Sequence, residues 1–238
     1  MRAERALLVL ASAASYPAGL ALGHPWLLPI LNTTPAYVVL VRRLRRGDRG
    51  GAVRAMLLWA LVLAVVGTVA LASWPAPTDA LVLGGPAYRD EMHRWIRTGE
   101  GAEVSLRLFL PQHTAHLAAF SLLSLATASV VSILMGSVLM NYMSFYVASL
   151  TRAGVPLWAV ALLGWQPWAI CRVAAFVTLG VVLAEPLLRR LSPVVRERLP
   201  TEGRRRFLLA AAAGLLADAV LKAALAPSWG IWLRTLLP

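Results

Sequence analysis

The sequence predicts an all-α fold of the membrane type, a single polytopic helical bundle with six or seven crossings. Three observations carry that prediction. Residues 108–151 run for 44 positions without an Asp, Glu, Lys or Arg. As one helix, such a run would be about twice as long as a ~30 Å hydrocarbon core is thick, so it reads as two crossings joined by a tight turn. The composition is 59% hydrophobic and 14% charged, against roughly 45–50% and 25% for a soluble domain. The charges that do occur cluster between apolar runs, which is where they belong when lipid is the solvent for the runs.

The elements follow in chain order. Segment 6–22 has no A-x-A cleavage pattern before a soluble domain, so it reads as a retained first span. Segment 26–41 follows after only Gly23, His24 and Pro25. It holds Pro29 and then Asn32-Thr33-Thr34-Pro35 at mid-depth, where proline kinks or breaks a helix. Residues 6–41 therefore read as a helical hairpin or as one crossing plus a re-entrant piece. Segment 52–73 is a third apolar run. The loop 74–111 contains Tyr88, Met92, Trp95 and Ile96 at helical spacing with charges on the other faces, a short amphipathic helix over 86–97. Segments 112–133 and 136–151 form the uncharged hairpin. Residues 155–164 are too few to span and end in Gly164-Trp165-Gln166-Pro167-Trp168, which predicts an interfacial or re-entrant half-helix. Segments 168–188 and 207–225 close the set. No internal repeat or second domain is visible, so 1–238 is one membrane domain.

Loop charge sets the expected orientation. Segment 42–54 carries Arg42, Arg43, Arg45, Arg46, Arg49 and Arg54 against Asp48. Segment 189–206 carries Arg189, Arg190, Arg196, Arg198, Arg204, Arg205 and Arg206 against Glu197 and Glu202. Both are expected in the cytoplasm. Loop 74–111 has four arginines against five carboxylates, a net of −1, and is expected outside. Seven crossings satisfy all three placements with the N-terminus inside; six put it outside. Eight of the nine tryptophans fall near predicted outer ends, where their rings favour the headgroup level. The net charge of +12 reads as positive-inside bias and attraction to anionic lipid at the Arg-rich segments, not as a nucleic-acid surface. The expected location is a cell membrane of the bacterial plasma or inner type.

Few residues can carry chemistry. Asp218 and Lys222 lie four apart on the last span and share a helix face. An ionised side chain at that depth costs at least ~2.5 kcal/mol by insertion scales. With Arg172 they form a candidate intramembrane ionic cluster, lining a polar cavity or holding an assembly together. Asn141 and Tyr142 put further polar groups in an apolar run, as interhelical glue or as part of a path. His113 and His116 sit at i, i+3, and with His93 and outer carboxylates they are a candidate divalent-metal site. The lone Cys171 excludes an internal disulfide and a cysteine metal cluster.

Walker, G-x-S-x-G and H-E-x-x-H patterns are missing, and no cofactor motif is present. The region 106–190, an outer loop, a long uncharged hairpin, a short turn segment and a span closing on Glu185-Pro186-Leu187-Leu188, resembles small membrane proteins of the stage II sporulation protein M type. That family's His-Gly…Glu signature is replaced here by Trp165-Gln166-Pro167-Trp168, so no functional residue is carried over. The resemblance implies a non-enzymatic membrane component acting with partners. Three function classes follow. The leading expectation is a non-catalytic accessory or scaffold subunit with a membrane or cytoplasmic partner. The second is a secondary transporter or channel with a polar path. The third is a metal-dependent or lipid-acting membrane enzyme.

Overall fold

The computed structural model describes residues 2–74 and 76–237, which contain helices and no strand. In order they are α1 (Arg2–Ala21), α2 (Leu27–Arg45), α3 (Arg49–Ser73), α4 (Gly85–Thr98), α5 (Leu106–Thr127), α6 (Val130–Arg152), α7 (Leu157–Leu163), α8 (Pro167–Leu191), α9 (Pro193–Arg198) and α10 (Arg204–Leu236). Four of them, α3, α6, α8 and α10, are long and apolar enough to cross a membrane. Their length and composition make this a membrane protein. Helices α1, α2 and α5 are of comparable length, with 20, 19 and 22 residues. They carry more polar side chains, among them Glu4, Asn32 and Gln112.

The segment 6–41 is a hairpin of two helices, α1 and α2. Of the two expected alternatives this is the hairpin, and α2 runs unbroken through Pro35. Donors gather on the carbonyls around the proline. Thr33 and Thr34 hydroxyls donate to the Pro29 and Ile30 carbonyls at 2.7 and 2.9 Å. The Trp59 indole of α3 donates to the Asn32 carbonyl at 3.0 Å. The bond that Pro35 cannot make is the one to the Leu31 carbonyl, and these side chains bond the carbonyls on either side of it.

The uncharged hairpin turns earlier than its composition suggests. The expected boundary near 134–135 lies inside α6, and the turn is at Ala128 and Ser129, with φ of 48° and 68°. Left-handed backbone is costly for both residues, and serines hold it. The Ser129 N–H donates to the Ser124 carbonyl at 3.0 Å. The Ser124 hydroxyl donates to Ser132 Oγ at 2.8 Å. The Ser129 hydroxyl donates to the Gly180 carbonyl of α8 at 2.7 Å, which anchors the turn to a second helix.

The two ends of the bundle are fastened differently. At the α9 end, Glu4 binds Arg43 and Arg46 at 2.5 and 2.8 Å. Buried Arg49 holds Glu185 with bonds of 2.5 and 2.9 Å and donates to the Pro200 and Glu202 carbonyls. At the other end, α4 matches the predicted amphipathic helix. Its Met92, Trp95 and Ile96 are buried against residues of α6, α7, α8 and α10. Helix α7 falls in the predicted half-helix segment and buries Ala159 and Val160. Helix α10 continues past the expected limit of 225 and past Pro227 to Leu236. Its last turns are clamped, because Arg234 Nε donates to the Ile96 carbonyl at 2.7 Å and the Trp229 indole to the Leu163 carbonyl at 2.9 Å. Trp95, Trp168, Trp229 and Trp232 form a chain of rings 5.6–6.4 Å apart. Trp95 and Trp168 are only 1% exposed, so these two are core residues and not headgroup anchors.

Candidate functional site

Helices α5, α6, α8 and α10 enclose a cleft at the α4 end of the bundle, with a volume of about 150 Å³. One face of α5 supplies Phe109, Gln112, His113, His116 and Phe120, at the i, i+3, i+4, i+7, i+11 spacing of a single helix stripe. Facing it are Tyr142 and Gly136 of α6, Arg172 and Phe176 of α8, and Lys222 of α10. Glu91 of α4 and Glu103 of the α4–α5 loop stand at the polar end. The apolar end reaches Ile133, Val181, Leu40 and Met56. From Arg172 to Val181 along α8 the cleft is about 14 Å long at 1.5 Å per residue. A Cβ at Gly136 would meet nothing within 4 Å, so that wall is open space.

Two ion pairs floor the cleft. Arg172 grips Asp218 through two bonds, Nε to Oδ2 at 2.8 Å and Nη2 to Oδ1 at 2.9 Å. Asp218 is fully buried, and a bidentate guanidinium is the partner geometry that best compensates a buried carboxylate. Lys222 donates to Glu103 Oε1 at 3.0 Å, while Glu103 Oε2 accepts from the Trp168 indole at 3.0 Å. Both cations also lie over the Phe109 ring, Lys222 Nζ at 3.9 Å and Arg172 Cζ at 5.0 Å from its centroid, a cation–π arrangement. His113 stacks on Phe109 and places Nε2 3.8 Å from Asp218 Oδ2.

The structure thus brings Arg172, Asp218, Lys222 and Tyr142 together and rearranges their pairing. Asp218 and Lys222 share a helix face, yet each takes its partner from another element. Asn141 does not join them. Its Oδ1 accepts from the Tyr16 hydroxyl at 2.8 Å and from Asn32 Nδ2 at 3.0 Å, in a separate neutral network between α1, α2 and α6. The three histidines are divided. His113 and His116 line the cleft, whereas His93 is hydrogen-bonded to Ser149 Oγ at 2.9 Å and sits edge-on to Tyr146. Among the described residues no three His, Cys, Asp or Glu side chains group as metal ligands.

Glu103 is not marked by the sequence. Among the five carboxylates of loop 74–111 it reads as solvated charge, but it is 9% exposed. The signal that points to it is indirect: once Arg172 claims Asp218, Lys222 at depth requires a second carboxylate.

Comparison with family models, with curated proteins and with solved structures returns no match.

Proposed function

We propose that the chain is a non-catalytic membrane protein that binds, and by the same cleft transports, a ligand with a polar head and an apolar body. One observation carries this reading: paired charges and two histidines gather at one end of an aromatic-walled cleft whose other end is apolar. Ionisable side chains inside membrane helices mark ligand or ion paths more often than they serve packing, and a mostly apolar cavity with a few convergent polar groups is the usual form of a ligand site. The transporter class is favoured over a scaffold because a scaffold has no use for such a space. In the topology that goes with it, α1, α2 and α5 cross as well. The α9 end, with the Arg-rich segments, then lies in the cytoplasm, and the cleft opens toward the outer face.

Gly136→Phe tests the reading, because the new ring enters open space. Native mass spectrometry of protein extracted from its own membrane should find a small amphipathic molecule on the wild type and lose it in Gly136→Phe, with the same melting temperature in both. An identical bound mass in both proteins, or none on the wild type, would reject the cleft as a ligand site.

A further inference from the structure

A second cavity lies at the opposite end of the bundle, where α8, α9 and α10 meet. Its volume is about 370 Å³, and it is lined by Arg189, Arg190, Arg196 and Arg204 with Thr201 and Glu185. Four guanidinium groups on one cavity repel one another unless an anion lies between them. The single carboxylate there does not serve, because Glu185 commits both oxygens to Arg49, at 2.5 and 2.9 Å. Among the described residues none of the four arginines makes an ion pair. Arg189 donates to the Leu199 carbonyl. Arg204 Nε is buried with no hydrogen-bond partner, a condition that costs free energy for as long as it lasts. Both missing elements, negative charge and acceptor oxygens, are what a phosphate group supplies.

The surroundings indicate where the phosphate comes from. Leu191 follows the lining residue Arg190 and Val194 lies two residues before Arg196, and they are 71% and 42% exposed. Apolar side chains turned outward next to arginine are the pattern of a segment lying at the headgroup level, with alkyl chains on one side and phosphates on the other.

We infer that the α8–α9–α10 cavity is a binding site for a phosphate monoanion, carried by an anionic phospholipid headgroup. It differs from the cleft in position, charge and ligand, and it does not depend on what the cleft holds. Arg190 and Arg196 are exposed, so replacing both with glutamine removes two cations without disturbing the packing. The full chain in detergent is titrated with short-chain phosphatidylglycerol, with short-chain phosphatidylcholine and with inorganic phosphate. Phosphatidylglycerol should bind more tightly than phosphatidylcholine. Arg190→Gln with Arg196→Gln should weaken it by about tenfold or more, as expected for two cationic contacts at a lipid surface, at an unchanged melting temperature. Equal binding of the two lipids, or undiminished binding by the double variant, would overturn the inference. Displacement of phosphatidylglycerol by an equal concentration of inorganic phosphate would keep the anion site and reject the lipid as its source.

Discussion

Two networks of buried polar groups in the bundle differ in kind. Between α1, α2, α3 and α6 the groups are neutral: Ser15, Tyr16, Asn32, Thr33, Ser137 and Asn141, joined by bonds of 2.7–3.0 Å. Around the cleft they are charged: Arg172, Asp218, Lys222 and Glu103. The neutral network fills its space. A Cβ on Gly67 would come within 2.4 Å of the Tyr16 hydroxyl, so α1 and α3 meet there with no room left over. The charged network borders open volume. Hydrogen bonds between helices suffice to hold a bundle together in lipid. Full charges at depth cost more than they return unless they are paired, so pairing them beside a cavity is a choice that packing alone does not require. The first network is adhesive, and the second has the attributes of a site.

The largest effect that would sharpen this contrast is expected from Asp218→Leu. It leaves the Arg172 guanidinium without its carboxylate, and breaking a buried pair costs about 3–5 kcal/mol. Melting in detergent should fall accordingly and recover in Asp218→Leu with Arg172→Leu. Recovery with Lys222→Leu instead would mean that the pairing is the intrahelical one. Lys222→Met should cost less, about 2 kcal/mol, because Glu103 keeps its bond from Trp168. It should nonetheless abolish retention of the cleft ligand, and retention at the wild-type level would place Lys222 in the adhesive class.

Asn141→Leu should cost about 1 kcal/mol, since interhelical bonds in lipid average about 0.6 kcal/mol each. The Tyr16 hydroxyl also has the Leu63 carbonyl at 3.1 Å to turn to. Ligand retention should not change; its loss would erase the distinction between the networks.

The smallest effect concerns α4. Burial, then the nearby Arg97 and Arg89 charges, hold the His93 pKa below its ordinary 6.5. The unfolded segment therefore takes up a proton before the docked one does. Docking of α4 is then strongest above pH 6.5 and weakens as pH falls through the window below it. Limited proteolysis of the flanking loops should rise on acidification, and His93→Gln should remove that dependence. An acid response that persists in His93→Gln would assign the effect to another group.

The membrane character and the amphipathic α4 were legible because both are long-range regularities, an uncharged run and a stripe of apolar residues. The turn at Ala128 and Ser129 was not. Nothing in an apolar run marks a bend that depends on three serines and the Gly180 carbonyl of a distant helix. The same limit applies to Pro35, through which α2 runs on beside an Asn32 carbonyl bonded by Trp59 of α3, a contact that no local pattern announces. In the site, Asp218 and Lys222 stood out by their depth, but their partners were set by tertiary packing. Glu103 looked like solvated loop charge until the fold carried it inward.

The turn that fastens α5 to α8 has a mechanical consequence. Of the 22 residues of α5 only Phe109, Phe120 and Ser124 are buried, and the Ser124–Ser129–Ser132 bonds fix its far end. Helix α5 is thus a lever with its fulcrum at the tip of the α5–α6 hairpin. A rotation about that fulcrum moves a residue in proportion to its distance from it, and Phe109 is about 22 Å away at 1.5 Å per residue. The ring that covers Lys222 and Arg172 therefore has the longest stroke of the cleft-lining residues on the helix, and a small tilt of α5 displaces the cover of the charges more than it displaces the apolar end.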